Sequence, residues 1–534
     1  MRRRSTYITH PNRAVNPADI QVYKNQLLLG ALQAAREERL TLDFKELPQD
    51  VVDVLRDSHE LHLRWASEHP YNTTAPFLSR TSPGLHIGYT PLKEDQPDRL
   101  CNFLRKLFGQ ALRCESPKST FITPPLISER FARTSSLQYY SLLPSLKSLV
   151  AYIQRNVCAP SDLTCLHTAA LLNIADSVDF DYDSISHAFT LTAFWSKQPA
   201  VSYDPIGEFT TLEAWNLDVE SKEGDRVEVG ILRASTATDP SDLQLSGFLT
   251  VVGEDDHPKA TLFSFPSRHL SLNAEQSKVQ KYTVSFDHPP GLHPTLRISF
   301  PAASSLMEPE NKPEGSVCAL QTYLTLPSHI FADQYAFLSN DPLFQKSHHV
   351  GPLRSIAGET DLEAPDYVVD KWGSTMLLEI RSPNNSREAE LTAAAGPWDV
   401  TIPLHLRYLK PQAGGISDVD MPWPIVFWAC TAEEGTRFPV NPFDRTQLGF
   451  DGLFGPRTVF YHLDPVPKGP PTSKLVERIA VPVLDTQVST PQTIEWVTVL
   501  TIALGFCWVL LKLKPLYSAT QTPDEGVSSS KKKQ

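Results

Sequence analysis

Hydrophobic and polar positions change their period along this chain, and the change divides it. In the first half, alternating runs are interleaved with helical ones. "LTLDF" (40–44) and "ELHLRWA" (60–66) alternate as strands do. "RLCNFLRKLFG" places Leu100, Phe103, Leu104, Leu107 and Phe108 on one helical face. "LPSLKSLVAYIQRNV" and "LHTAALLNIADS" predict two further helices. Strand patterns follow in "HAFTLTAFW", "RVEVGILRA", "GFLTVVGE", "ATLFSF" and "KYTVSF". The expectation is a mixed α+β N-terminal region over 1–286, in one or two subdomains.

From Leu292 the pattern is almost purely β. "TLRISF", "ALQTYLTL", "YVVD", "STMLLEI", "DVTIPLHLRYL" and "WPIVFWAC" are short runs separated by turn chemistry. In "IPLHLRYL", Leu404, Leu406 and Tyr408 fall on one face and His405 and Arg407 on the other, as in a half-buried strand. Strands at this spacing predict a mainly-β, sandwich-like domain over 287–485. A proline-rich segment, "LDPVPKGPPTSK", reads as a stalk leading away from it.

One run breaks the pattern. "WVTVLTIALGFCWVLL" (496–511) carries no charge, and its 16 residues would make about 24 Å of helix. Ile494, Leu513 and a snorkelling Lys512 extend it toward the roughly 27 Å hydrocarbon core of an endoplasmic reticulum (ER) bilayer. Trp496 and Trp508 suit the two interfaces. The expectation is one transmembrane helix over 494–513 and a short tail over 514–534. Within the span, Thr501 and Gly505 form a small-xxx-small pair able to pack on a partner helix, although such a pair can equally face lipid.

Charge sets the orientation. Lys512 and Lys514 follow the span closely, with Lys531, Lys532 and Lys533 in the tail, while Glu495 precedes it. The positive-inside rule then puts the tail in the cytosol and the body in the lumen. Sequons at Asn72 ("NTT") and Asn384 ("NNS") agree with a lumenal body. The N-terminus has no apolar signal region behind "MRRR", and the opposite topology, a cytosolic body on a tail anchor, is the rival. With the tail cytosolic, Lys531 and Lys532 resemble the dilysine signal that retrieves membrane proteins to the ER. Six cysteines lie outside the span: Cys101, Cys114, Cys158, Cys165, Cys318 and Cys430. They are compatible with three disulfides in any of 15 pairings, or with buried thiols packed as small hydrophobes.

The net charge of −12 argues against nucleic acid as a partner. Catalytic chemistry is thinly represented. "DVD" (418–420) and "DFDYD" (179–183) have the spelling of a cation site, but the first sits in a turn composition and such pairs recur by chance. His59 and His62 of "HELH" fall on opposite faces of a strand and do not suit one metal. His62 is expected at the surface, opposite Leu61, Leu63 and Trp65, and His348 and His349 in an exposed loop. There is no nucleophile elbow, phosphate-cradling glycine loop or metalloprotease signature. No catalytic residue, cofactor, metal or small-molecule substrate is expected.

Five blocks in order carry a family resemblance. They are "GLHPTLRISF" (291–300), "LPSHIFADQYAF" (326–337), "DLEAPDYVV" (361–369), "IPLHLRYLKP" (402–411) and "WPIVFWAC" (423–430). Placed just before a single C-terminal span, they look like the PIG-X family. The "MRRR" start and "AAREERLTLDFKELP" (34–48) resemble its fungal Pbn-type members. The resemblance implies a lumenal, non-catalytic subunit of GPI mannosyltransferase I, which adds the first mannose to the glycosylphosphatidylinositol (GPI) precursor. The implied partner is the multispanning PIG-M-type catalytic subunit, stabilised by this one. The family is regarded as having a lumenal N-terminus without a cleaved signal. A broader ER folding factor is the alternative, and a membrane-anchored glycan enzyme a more distant one. The aromatic strand around Trp423, Phe427 and Trp428 offers contacts for the partner, or else belongs to the core.

Overall fold

The computed structural model of the chain describes all residues except 14, 94–98, 126–136, 198–201, 204–208, 211–213, 223, 236–241, 289–290, 340, 382–396, 433–448, 470–472, 488–490 and 520–534. β-Strands dominate, and one long apolar helix ends the described chain. Two compact units are present: Met1–Tyr408 with Asp418–Ile479, and Leu409–Ser417 with Ala480–Gln534.

The first unit is built on a ten-stranded sheet among the described residues. Its order is Lys259–Pro266, Asp242–Val252, Arg226–Ser235, Arg2–Thr9, Ala34–Leu42, Phe189–Trp195, Ser177–Asp183, Ser58–Ala66, Gly84–Pro91 and Leu137–Ser141. Arg2–Thr9 runs parallel to Arg226–Ser235 and antiparallel to Ala34–Leu42. One face carries Leu61, Leu63, Trp65, Leu85 and Ile87, which pack with the apolar sides of helices Gln49–Arg56, Arg99–Phe108 and Lys147–Asn156. The helical face read from "RLCNFLRKLFG" is buried there, with Leu100, Phe103, Leu104, Leu107 and Phe108 all in the core.

The opposite face of the same sheet is covered as well. Ile8, Phe194, Leu232 and Leu245 pack with Tyr71, Phe77 and Leu78 of the segment between two of the strands. This corrects the expected surface position of His62. That side chain is buried and pairs with Asp181, because the strand Ser58–Ala66 has protein on both sides. One residue along the same face, Arg64 pairs with Asp179, both almost wholly enclosed.

Later strands form a six-stranded sheet and a four-stranded one among the described residues. The first runs His269–Ser271, Thr458–His462, Ile425–Thr431, Val317–Pro327, Gly373–Ile380, Val350–Gly358. The second runs Trp398–Pro403, Thr295–Phe300, Lys281–Phe286, Asp464–Pro465. The hairpin of Lys281–Phe286 with Thr295–Phe300 straddles position 286, where the sequence pattern set its division. Contacts also cross it within the first unit: Arg80 pairs with Asp464 at 2.7 Å, and the Trp372 indole donates to the Gln138 carbonyl at 2.9 Å. The "LDPVPK" part of the expected stalk begins inside the fold, since Leu463 is fully buried and Asp464–Pro465 pairs with Lys281 and Tyr282.

In the second unit, the helix Pro491–Ala519 contains a 23-residue span, Gln492–Lys514, with mean hydropathy 2.0 and none of its apolar window buried. It is long and apolar enough to cross a membrane.

Candidate functional site

The site begins with a loop held shut at its base. Residues 359–372 leave the sheet at Gly358 and return at Gly373, both at positive φ (114° and 146°). The Glu359 amide donates to the Gly373 carbonyl at 3.0 Å. A Cβ on Gly373 would strike the backbone of Leu326 and Pro327, so the strands close only around glycine. Within the loop, the Asp361 carboxylate accepts from the amides of Glu363 (2.8 Å) and Ala364 (3.3 Å), and a turn joins the Val368 amide to the Pro365 carbonyl. "YVVD", expected as a strand, is therefore the outer part of this turn, and Tyr367 and Val368 are exposed.

Arg407 fills the space beneath. Its guanidinium is buried, donates through Nη1 to the carbonyls of Asp361 and Ala364 (2.8 Å for the latter), and lies 4.3 Å from the Phe331 ring centroid. Phe331 stacks on His405, whose Nδ1 meets the His293 Nδ1 at 2.9 Å. Main-chain bonds complete the junction. Arg407 donates to His329, Leu406 to Leu292, Leu404 to Pro294, and Asp366 to Tyr408. Four of the five blocks that carried the resemblance, 291–300, 326–337, 361–369 and 402–411, thus meet at one place. The expected half-buried strand is corrected here: Arg407 is buried and Tyr408 is 67% exposed, because the regular strand stops at Pro403 and only His405–Leu406 pairs again.

Electrostatics at the junction are unbalanced. Burial pushes the Arg407 guanidinium below its ordinary range, opposed by the fields of Glu359, Asp361 and Asp366. Asp366 is held by Ser328 and by Arg113 at 3.1 Å. Arg407 Nε and Nη2 have no acceptor among the described residues. Burial also pushes His329 down to about 4, against a hydrogen bond to the Asp420 backbone.

The other expected positions are scattered. Trp423, Phe427 and Trp428 are buried, so the aromatic strand is core and offers no surface for contact. Trp428 donates to Gln280 at 2.9 Å and Phe427 stacks on Phe450 at 4.4 Å, because Ile425–Thr431 is an inner strand, and Trp423, just before that strand, donates to Glu477 at 3.0 Å. Three disulfides join Cys101 to Cys114, Cys158 to Cys165 and Cys318 to Cys430. Asn72 is exposed; Asn384, Lys531 and Lys532 lie outside the described residues. Thr501 and Gly505 sit one turn apart on the apolar helix, and nothing lies within 4 Å of a Cβ built on Gly505. His348 ends a helix and contacts Thr401, and His349 adopts φ 54° with Nδ1 on the Asp399 carbonyl, so both are half-buried rather than exposed. Asp420 pairs with Arg478. Among the described residues no group of three or more His, Cys, Asp or Glu could hold a metal ion.

Sequence reasoning missed Arg407 because a basic residue one position from an apolar one in a strand reads as solvent-facing. The signal available was the pair of glycines at 358 and 373 around an acidic segment.

Comparison with known proteins gives one consistent result. The family described as PIG-X / PBN1 matches residues 289–514. A protein named pbn1 from Emericella nidulans is 48% identical over 526 residues, covering 96% of this chain and 95% of that one. One of the same name from Aspergillus oryzae is 43% identical over 569 residues, covering both chains fully, and one from Neurospora crassa is 40% identical over 96% of this chain and 95% of its own. A solved C-terminal domain of the Streptococcus pyogenes antigen I/II-family protein AspA aligns over 90% of this chain and 99% of its own, at 8% identity and a TM-score of 0.11, too low to carry an argument.

Proposed function

We propose a function from one premise: this chain belongs to the PIG-X / PBN1 family. We read it as a component of GPI-anchor biosynthesis, a non-catalytic subunit that stabilises the mannosyltransferase adding the first mannose to the precursor. The observation that carries this reading is the similarity to fungal pbn1 proteins, which runs through the body and the apolar helix alike. The partner in this reading is the PIG-M-type catalytic subunit in the ER membrane. Binding the folded partner and not its unfolded form stabilises it by mass action, with no chemistry of its own.

The topology we infer is single-pass, with the mixed α+β and β-rich body in the lumen and the tail in the cytosol. The basic residues Lys512 and Lys514 at the C-terminal end of the span support that orientation. Asn72 and Asn384 are then glycan acceptors, the three cysteine pairs are lumenal disulfides, and Lys531 and Lys532 are a retrieval signal. Thr501 and Gly505 are the part of the helix we assign to packing against the partner.

The test is depletion in a fungal host. Loss of this chain should lower the steady-state level of the catalytic subunit and abolish mannose transfer from dolichol-phosphate mannose in isolated microsomes, and re-expression should restore both. Transfer by the purified chain alone would overturn the non-catalytic reading. An unchanged level of the catalytic subunit would overturn the stabilising one.

A further inference from the structure

We propose that the outer surface of the 359–372 loop, together with Tyr408, docks a partner segment in which lysine or arginine alternates with apolar side chains. The loop carries Glu359, Asp361, Glu363, Asp366 and Asp370 against the single cation Lys371. Asp366 is the loop carboxylate engaged in an ion pair among the described residues, with Arg113. Between these acids, Leu362, Tyr367, Val368 and Tyr408 are 44%, 53%, 61% and 67% exposed. They form one neighbourhood, because Arg407 Nη1 binds the Asp361 carbonyl and the Asp366 amide binds the Tyr408 carbonyl.

Two aromatic rings and two aliphatic side chains left in water are a cost that the unit does not need for its core. The loop is also not loose. Its base is fixed by Gly358 and Gly373 and its underside by Arg407, so the surface is set before any partner arrives and little ordering entropy is lost on docking. Exposed tyrosines beside a loop whose Asp361, Glu363 and Asp370 are also exposed select their occupant by charge. A basic-apolar chain satisfies both features, whereas an acidic segment or a phosphate is repelled.

This inference rests on the stabilising-subunit reading only for which protein supplies the segment, so two measurements separate them. In the first, the full chain in detergent is titrated against a short synthetic peptide of alternating lysine and leucine with one tryptophan, and against its glutamate counterpart. The basic peptide should bind at least about tenfold tighter, and Tyr367→Ser with Tyr408→Ser, or Glu363→Lys with Asp370→Lys, should each weaken it by about tenfold. Equal affinity for the two peptides, or indifference to both pairs of substitutions, overturns the proposal. In the second, co-purification of the mannosyltransferase is compared between the wild-type chain and Tyr367→Ser with Tyr408→Ser. Loss in the variant at unchanged thermal midpoint supports the surface. Retention in both overturns it and leaves the subunit reading intact. If the wild type retains no mannosyltransferase but the peptide result holds, the surface stands and the subunit reading falls.

Discussion

The Arg407 guanidinium lies 4.3 Å from the centroid of the Phe331 ring and, from that position, reaches the carbonyls of Asp361 and Ala364. A planar guanidinium can lie flat on a ring while donating in a fixed fork, a geometry an ammonium does not reproduce. Arg407→Met should lower stability by about 3 kcal/mol through the lost charge-assisted bonds. Arg407→Lys should recover less than half of that, measured by urea unfolding of the body in matched buffers. Equal stability of all three would mean that the junction is held by its glycines alone.

Arg64 and Asp179 face each other on adjacent strands with almost no water access. Removing one member leaves the other charge buried without its counter-charge, at a cost of about 3–5 kcal/mol. Asp179→Ala should therefore be severely destabilising. Arg64→Met combined with Asp179→Leu should recover much of the loss, since an apolar pair of similar volume avoids the desolvation of both ions. A double-mutant cycle by chemical unfolding tests this. It also separates a structural pair from a cation site, because a bound cation would make the wild-type stability depend on added Mg²⁺ or Mn²⁺.

The disulfide between Cys318 and Cys430 joins directly opposed residues of two inner strands and spans 112 positions. The other two span 13 and 7. In the chain-entropy account the long closure is worth about 4.8 kcal/mol, against about 2.9 and 2.4 for the shorter ones. Cys318→Ala with Cys430→Ala should accordingly be the most destabilising of the three paired removals. Unfolding midpoints of the three double variants, made under non-reducing conditions, give the order.

Burial pushes both His329 and His86 down to about 4 from the ordinary 6.5. Between those values the unfolded chain binds protons that the folded chain refuses, so acidification favours unfolding. Stability should be insensitive to these groups above pH 6.5 and fall as pH drops from 6.5 toward 4, by up to about 1.4 kcal/mol per pH unit for each histidine. His329→Gln should make that slope shallower by one histidine's share, whatever it does to the midpoint. A slope unchanged by the substitution would show that His329 protonates as readily folded as unfolded.

Where one local pattern determined burial, the sequence was legible. Leu100, Phe103, Leu104, Leu107 and Phe108 lie on one side of any helix, and Leu61, Leu63 and Trp65 on one side of any strand, and the core takes both sets. His62 and Arg64 were not legible, because the protein over their face comes from elsewhere in the chain, with Tyr71, Phe77 and Leu78 on that side of the sheet. The turn at Tyr367 has β-branched neighbours that read as strand, and only the closure of Gly358 on Gly373 reveals it. Trp423 and Trp428 show the limit of composition, since the same aromatic run suits an interface or an inner strand until its neighbours are known. The cysteine pairing follows from strand register and helix ends, neither of which spacing can supply.

Asn72 is exposed two residues before Thr74, whose amide binds the Leu78 carbonyl, so the sequon lies on an accessible loop where a transferase could reach it. If the body is lumenal, endoglycosidase H should increase the mobility of the expressed protein. Asn72→Gln should remove one glycan's step, and Asn72→Gln with Asn384→Gln should remove the shift altogether. Sealed microsomes should protect the body from added protease. The opposite result, no shift at any sequon and a body digested in sealed vesicles, would turn the chain round. The exposed tyrosines at 367 and 408 would then face the cytosol, and Lys531 and Lys532 would lie where no cytosolic retrieval receptor could read them. A lumenal mannosyltransferase could not then be the protein this surface holds.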